Sequence, residues 1–246
     1  MTVIPTAATL VLMRDGAGAI EVLLLQRPDR GAFAGAWVFP GGKVEPVDRL
    51  DDDESTARNA AVRETAEESG LVVAPDALVP LSHWSPPEQL ATKFITWFFV
   101  AEAPVGEVVV QQAEAVAARW IRPADALKQH GAGTLRLFPP TWVTLDTLMA
   151  YPTVDAALAG IARHELRRYA TKQDPQRGLA IWSGDEAYDG LPDTEEYRQL
   201  MIDTVGEARP FADSVDAMER LKANYKLVAM TNARRWAFDK YAEKLG

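Results

Sequence analysis

The amino-acid sequence predicts an α/β fold, in which a β-sheet is covered on both faces by helices. Two apolar segments, 6–13 and 20–26, are typical of strands, and a glycine-rich break at 16–19 separates them. Residues 54–69 are typical of a helix, because strong helix formers fill the segment and Gly70 stops it. Strands mixed with a few helices bury their apolar sides best as stacked layers.

The remaining elements are predicted from apolar runs that turn-forming residues separate. Pro123 stands near the first turn of one predicted helix, and a glycine-rich break at 131–133 follows that helix. Pro152 separates the last two helices. The predicted strands are 6–13, 20–26, 37–39, 71–73, 78–84, 94–101, 105–111 and 120–121, and the predicted helices are 54–69, 123–129, 141–151 and 153–168.

Composition and charge narrow the classes of function. The 246 residues, 48% of them hydrophobic, suit one large domain or one domain with a smaller appendage. The absence of cysteine excludes disulfides, thiolate metal sites and cysteine nucleophiles, and the net charge of −9 argues against non-specific nucleic-acid binding. No apolar run approaches the roughly 18–20 residues that span a membrane, and the N-terminus lacks a signal-peptide pattern. We therefore expect a cytoplasmic protein without a membrane partner, and a homodimer is left open.

The segment from Arg63 to Gly70 carries three carboxylates on one face of the predicted helix. Glu64, Glu67 and Glu68 include pairs three and four positions apart, where helical β-carbons are about 5–6 Å from each other. Carboxylates this close repel one another unless a positive charge lies between them, and Mg²⁺ takes oxygen ligands. The alternative interpretation is a solvated acidic face without a ligand. The sequence upstream favours the metal site.

An apolar run that meets a turn, 37–43, precedes this helix. Within it, Pro40-Gly41-Gly42 lets the backbone approach a ligand closely. Together the two segments resemble the Nudix box, whose pattern is G-x5-E-x7-R-E-U-x-E-E-x-G-U, with U an aliphatic residue. The second half of the pattern matches residues 63–71, with Thr65 in place of an aliphatic residue.

The first half of the box is lengthened in its loop. Gly42 stands 21 positions before Arg63, where the pattern asks for 14, so seven extra residues lie within 46–53. Counted back from Arg63, the first Glu of the pattern falls on Ser55, beside Glu54. By this count, the chain lacks one glutamate of the usual Nudix metal-ligand set. A loop insertion costs little free energy, so we expect the helix and its carboxylates to survive it.

The lengthened box resembles a branch of the Nudix hydrolases, the peroxisomal-type coenzyme A diphosphatases and their bacterial relatives. The resemblance implies a Nudix-type α/β/α sandwich with a mixed sheet, and hydrolysis of a diphosphate linkage in coenzyme A or acyl-coenzyme A with Mg²⁺ or Mn²⁺. Alternatives are a Nudix hydrolase acting on NADH, ADP-ribose or another nucleotide sugar, and a non-catalytic nucleotide-binding module. Ile95 departs from the branch, which has an acidic residue there. The resemblance covers about residues 4–165 and is carried by 27–42, 93–99, 118–127 and 138–145.

Candidate site residues follow from the box and its surroundings. By resemblance, the carbonyl of Gly41 completes the metal ligands, and Arg63 orients the glutamates by hydrogen bonding. An acidic residue before the strand at 120–121 often serves Nudix enzymes as ligand or base, which points to Glu114, with a box glutamate as its rival. The predicted metal ligands are Gly41, Glu64, Glu67 and Glu68. The predicted catalytic residues are Glu67, Glu114 and Arg63. The predicted substrate-binding residues are the clustered cations Arg27, Arg30 and Lys43, and Trp84 in an adenine or pantetheine groove.

The chain is predicted to divide into a Nudix hydrolase domain, 1–170, and a smaller, mostly helical C-terminal α/β segment, 171–246, of open role. A buried-type strand at 226–230, followed by Thr231-Asn232 and a helix, resembles the second motif of haloacid-dehalogenase-like hydrolases. Those enzymes need an Asp-x-Asp nucleophile motif, and the tail holds none. An ordinary βα unit is therefore favoured over a phosphatase acting through the tail.

Overall fold

The computed structural model of the protein describes residues 4–30, 34–86, 94–111, 115–174 and 179–183. All of these residues belong to one compact unit, Met1–Gly184, which extends past residue 170. The elements predicted in the tail lie outside the described residues, as do Lys93 and Glu114. No helix in the described ranges combines the length and the apolar character that crossing a bilayer requires.

The described residues contain nine strands, β1 (Thr6–Asp15), β2 (Ile20–Gln26), β3 (Trp37–Val38), β4 (Gly41–Lys43), β5 (Val79–Ser85), β6 (Ile95–Glu102), β7 (Ala117–Ile121), β8 (Arg167–Asp174) and β9 (Leu179–Trp182). They form one sheet in the order β3-β2-β1-β6-β5-β8-β9, with β4 beside β1 and β7 beside β2. The pairs β1–β6 and β5–β8 are parallel, and the other pairs are antiparallel. The sheet is therefore mixed, as predicted.

Helices lie on both faces of this sheet. The four α-helices in the described ranges are α1 (Asp53–Ser69), α2 (Pro123–Gly131), α3 (Pro139–Leu148) and α4 (Val154–Ile161). Successive residues of a strand point to opposite faces. Leu10 of β1 packs in one buried cluster with Ala60 of α1, and Val11 packs in a second cluster with Leu145 of α3. The two clusters confirm the predicted α/β architecture.

Helix α1 begins and ends on local signals in the sequence. The side chain of Asp52 accepts a hydrogen bond of 2.8 Å from the backbone N–H of Ser55, which caps the first turn. Gly70 closes the helix in the left-handed conformation, with φ of 73°, and its N–H donates to the carbonyl of Ala66. The predicted helix at 54–69 is therefore confirmed, together with its stop at Gly70.

Two predicted strands, 71–73 and 105–111, are not strands in the structure. Val72 is 70% exposed, so the first segment has only part of its apolar surface on the core. The N–H of Val109 donates to the carbonyl of Ser69, so the second segment contacts the end of α1 and does not extend the sheet. Short apolar runs do not by themselves separate a strand from a loop that packs on the core.

Two further elements differ from the prediction. The helix predicted at 153–168 is shorter, because α4 ends at Ile161 and the chain then forms β8 parallel to β5. Strand β4 is not predicted, because Gly41-Gly42 is typical of a turn. Both β4 and β8 owe their conformation to a neighbouring strand that is distant in the sequence, β1 and β5 respectively.

Candidate active site

The Gly41-Gly42 pair belongs to strand β4, where Gly41 stands opposite Thr9 and Gly42 opposite Ala8. A β-carbon on Gly41 would overlap the carbonyl oxygen of Ala8 and lie 2.7 Å from the Thr9 Cα. Glycine is therefore required for the two backbones to approach this closely. Helix α1 packs against both β1 and β4, which brings its acidic residues to the glycine pair.

Two carboxylates of α1 lie against these glycines. A β-carbon on Gly42 would overlap the carboxylate of Glu64. The backbone N–H of Gly41 donates a hydrogen bond of 2.9 Å to Oε2 of Glu68. Glu64 and Glu68 are one helical turn apart and share a face of α1. Their carboxylates therefore converge on two consecutive residues of β4.

Glu68 is the most deeply buried of the three glutamates. Its side chain is 2% exposed, against 13% for Glu64 and 53% for Glu67. A carboxylate at this depth needs a partner, because burial of an unpaired charge is costly. Nη1 of Arg27 lies 3.0 Å from Oε1 of Glu68. This ion pair joins the residue that follows β2 to the last turn of α1.

Arg63 contacts the other two glutamates and the loop after β4. Its Nη1 lies 3.0 Å from Oε1 of Glu64 and 3.0 Å from Oε2 of Glu67. Its Nε and Nη2 donate to Oδ1 and Oδ2 of Asp48 over 3.0 and 2.9 Å, and Nη2 also donates to the carbonyl of Lys43 over 3.0 Å. These contacts, with the bonds to Asp48 foremost, raise the pKa of Arg63. The guanidinium is therefore charged and held in place.

Of the three predicted substrate-binding cations, the structure places the side chain of one, Arg27, against these glutamates. Arg27 contacts Glu68 directly. Lys43 is the last residue of β4, and its exposed ammonium lies 5.2 Å from the centroid of the Phe94 ring. Arg30 is exposed in the segment that follows β2. The structure thus brings Arg27 into the site and leaves the side chains of Lys43 and Arg30 at the surface.

Trp84 does not join the other predicted residues. It is 3% exposed, its ring stacks on Tyr169 with 4.3 Å between centroids, and its Nε1 donates to the Ser82 hydroxyl over 3.1 Å. It belongs to the buried cluster on the face of the sheet opposite α1. The structure therefore places Trp84 in the core and not in a groove. Glu114 lies outside the described residues.

Comparison with known proteins identifies the family of this chain. Residues 4–140, more than half of the chain, match the NUDIX domain family. The chain belongs to the Nudix family. The match includes the glycine pair of β4, the three glutamates of α1 and Arg27.

Individual Nudix proteins and other relatives match parts of this chain. The crystal structure of a NUDIX hydrolase from Alicyclobacillus acidocaldarius is similar with a TM-score of 0.59 and 29% identity, over 68% of this chain and 98% of that chain. A CTP pyrophosphohydrolase from Escherichia coli (strain K12) is 48% identical over 61 residues, which make up 25% of this chain and 37% of that protein. An adenine DNA glycosylase from Homo sapiens is 44% identical over 45 residues, 18% of this chain and 8% of that protein. The chain thus aligns with less than two thirds of the length of either curated relative.

The Nudix box of this chain keeps an acidic residue at its first acidic position. Asp48 stands six residues after Gly42, where the pattern G-x5-E has its first Glu. The seven extra residues therefore follow Asp48, and the predicted range of 46–53 for them is corrected. Asp48 is 3% exposed, accepts both bonds from Arg63, and accepts a third, of 2.8 Å, from the N–H of Glu45. Counting back from Arg63 instead gives Ser55, whose N–H belongs to the cap of α1. Counting forward from Gly42 finds Asp48 from sequence alone.

The Nudix glutamates fit a hard divalent cation by their donor atoms. Glu64 and Glu68 present carboxylate oxygens at one dipeptide, and such oxygens suit Mg²⁺ and Mn²⁺. Within the described ranges, no three acidic or histidine side chains stand close enough together to hold a metal ion as they are. Arg27 and Arg63 lie against the carboxylates instead and offset their mutual repulsion.

Asp48→Asn is expected to lower stability at neutral pH and to remove part of the protein's acid sensitivity. Burial raises the pKa of Asp48, but the hydrogen bonds from Arg63 and Glu45 and the charge of Arg63 together hold it below its ordinary value. A lowered carboxyl pKa contributes stability that is complete above the unfolded-state pKa and is lost as pH falls through the folded-state pKa. We expect a loss of about 2 kcal/mol at pH 7, because Arg63 is only partly buried.

Thermal unfolding of both proteins between pH 7 and pH 3 measures this effect. The difference in stability should shrink below about pH 4, where carboxyl groups take up protons. Asp51→Asn is the matched control, because it removes one exposed carboxylate from the same loop. A difference between Asp48→Asn and wild type that stays constant over the whole pH range contradicts the prediction.

Proposed function

We propose that this Nudix protein hydrolyses a diphosphate linkage in a nucleoside diphosphate derivative, with coenzyme A or acyl-coenzyme A as the first choice and Mg²⁺ or Mn²⁺ as the cofactor. The observation that carries the proposal is the convergence of Glu64 and Glu68 on Gly41-Gly42. Family membership supports a pyrophosphohydrolase. A non-catalytic module of this fold would be expected to have lost these carboxylates, and this chain retains them.

The proposed ligands of the divalent cation are Glu64 and Glu68, with Glu67 and the carbonyl of Gly41 completing the set. A bound cation supplies charge neutralisation at phosphoryl oxygens and makes a bound water more acidic. The burial of Glu68 supports its role as a metal ligand, because a carboxylate shielded from bulk water attracts a cation more strongly.

Arg63 is proposed as a positioning residue. Asp48 and the carbonyl of Lys43 hold its guanidinium, which in turn contacts Glu64 and Glu67. An outer partner of this kind fixes the orientation of a ligand carboxylate. The loop that bears Asp48 therefore acts on the chemistry through Arg63.

The general base, which takes a proton from the attacking water, is proposed to be one of two carboxylates. Glu114 is one, from its place before β7 in the sequence. Glu67 is the other, and its 53% exposure supports access to solvent water. Separate changes of each residue to Gln, compared by the pH dependence of kcat, distinguish the two assignments.

Two substrate classes follow from different observations. The lengthened box and the segments 118–127 and 138–145 resemble the coenzyme A diphosphatases and favour coenzyme A. The CTP pyrophosphohydrolase relative, 48% identical over 61 residues, favours a nucleoside triphosphate as the second candidate. Either substrate is a small polyanion, and Arg27, Arg30 and Lys43 supply local positive charge in a chain of net charge −9.

A substrate screen with Mg²⁺ tests the proposal. We expect kcat/KM for coenzyme A to exceed that for NADH, ADP-ribose and CTP by at least roughly tenfold, a discrimination that pocket contacts can supply. Cleavage of the diphosphate gives adenosine 3′,5′-bisphosphate and phosphopantetheine, which chromatography separates. Preferred turnover of CTP would establish the second candidate instead. Tight binding without turnover of any compound would make the protein a binding module.

A further inference from the structure

We propose that Arg27 is a built-in counterion of Glu68, which must leave this carboxylate when a divalent cation binds there and is then free to contact a phosphate of the substrate. The inference rests on the proposed function, because it takes Glu68 to be a metal ligand. It adds that loading of the cation and capture of the phosphate are coupled through one arginine.

The charge on Glu68 is buried and already has a partner. Its carboxylate is 2% exposed, with Oε1 3.0 Å from Nη1 of Arg27 and Oε2 2.9 Å from the N–H of Gly41. A dication on this carboxylate would stand beside the guanidinium charge in a place where water screens poorly. Two positive groups sharing one buried carboxylate repel each other, so the more mobile of them is displaced.

Of the two arginines at the site, Arg27 has the fewer contacts that hold its side chain in place. Arg63 is 20% exposed and is fixed by two bonds to Asp48 and one to the carbonyl of Lys43. Arg27 is 35% exposed, and its backbone N–H donates to the carbonyl of Ala36 over 2.9 Å. The backbone of Arg27 is thus anchored, while its long flexible side chain reaches toward solvent.

Displacement of Arg27 from Glu68 provides a binding group for the substrate. A guanidinium released from Glu68 remains tethered at the end of β2, next to the carboxylates, and presents a planar set of donors that suits phosphate oxygens. Binding of the cation then favours binding of the phosphate through Arg27. By linkage, the phosphate favours the cation by the same factor.

Metal titrations of the full chain without substrate test the exchange. Arg27→Gln removes the competing charge, so we expect the variant to bind Mn²⁺ about tenfold more tightly than wild type by calorimetry. Arg122→Gln is the matched control, because this arginine also pairs with a carboxylate, that of Asp125 at 2.8 Å, but is 52% exposed and belongs to no part of the proposed site. An exposed charge has a small effect, so we expect less than about a threefold change for this control.

Chemical labelling of arginine by phenylglyoxal, read residue by residue by peptide mass spectrometry, gives a second readout on wild-type protein. We expect saturating Mg²⁺ to raise the labelling rate of Arg27 severalfold and to leave that of Arg63 unchanged. In Glu68→Gln, Arg27 has lost its counterion, so we expect fast labelling with and without Mg²⁺. The wild-type measurement decides the matter even where a variant fails to fold.

Three outcomes separate this inference from the function on which it rests. Tighter Mn²⁺ binding by Arg27→Gln together with Mg²⁺-dependent labelling of Arg27 supports the exchange. Equal Mn²⁺ affinity in wild type and Arg27→Gln, with labelling that Mg²⁺ does not alter, overturns the exchange and leaves the metal site standing. No binding of Mn²⁺ by wild type overturns both the metal site and the exchange.

Discussion

Changing Glu64 and Glu68 together to Gln is expected to lower kcat by at least about 10³-fold while the protein stays folded. Gln keeps the shape of each side chain but removes both negative charges that face Gly41-Gly42. Metal-derived stabilisation of the transition state is worth several kcal/mol, and each 1.36 kcal/mol is tenfold in rate. Steady-state hydrolysis of the preferred substrate measures the loss. Changing Glu67 and Glu68 together is expected to abolish turnover in the same way.

The matched control for this double variant is Glu54→Gln at the start of the same helix. Glu54 pairs with Arg58 at 2.7 Å and is 41% exposed, so its loss should leave activity close to that of wild type. Thermal unfolding should show both variants folded, since Arg27, which loses its partner at Glu68, is partly exposed to water. Substantial turnover by the double variant would exclude this glutamate site.

Gly42→Ala and Gly41→Ala are expected to fail in different ways, although the glycines are adjacent. A β-carbon at position 42 would overlap the carboxylate of Glu64, the flexible end of a side chain that can move away. We expect a folded protein with roughly 10²-fold lower kcat, because a small displacement of a catalytic group is costly. A β-carbon at position 41 would overlap the backbone of Ala8, which cannot yield. We expect that variant to lose about 3 kcal/mol of stability.

Parallel measurements of kcat and of thermal unfolding distinguish these two effects. The pair of variants serves as its own control, since each adds one methyl group to the same strand. The expected pattern is a large loss of activity with a small loss of stability for Gly42→Ala. The assignment of Glu64 as a ligand that lies against Gly42 is contradicted if Gly42→Ala retains wild-type activity.

Local sequence signals account for the parts of the structure that local interactions determine. Helix α1 has a capping Asp52, strong helix formers and a closing Gly70, and its predicted limits agree with the structure. Strands β1 and β2 are long apolar runs separated by a glycine-rich turn, and they too form where predicted. Glu64 and Glu68 are one helical turn apart, so their shared face could be predicted from the sequence, whereas Glu67 is 53% exposed and contacts Arg63.

The features that the sequence does not disclose depend on contacts between distant segments. Strand β4 is set by pairing with β1. Trp84 lies in the core because the pleat of β5 turns its side chain inward, a choice that a sequence with apolar residues on both faces leaves open. Asp48 differs from these two, because a count forward from Gly42 predicts it and a count back from Arg63 gives Ser55, and its bonds to Arg63, fifteen residues away, decide between the two positions.

The most direct test of the proposed metal site is anomalous X-ray diffraction from crystals of the protein soaked in Mn²⁺. We predict an anomalous peak within coordination distance, about 2.0–2.6 Å, of carboxylate oxygens of both Glu64 and Glu68, the range found for hard divalent cations. Crystals of the Glu64→Gln, Glu68→Gln variant should lack this peak. If saturating Mn²⁺ gives no anomalous peak at these glutamates, or gives a peak only elsewhere in the protein, the assignment of this glutamate pair as the metal centre is contradicted.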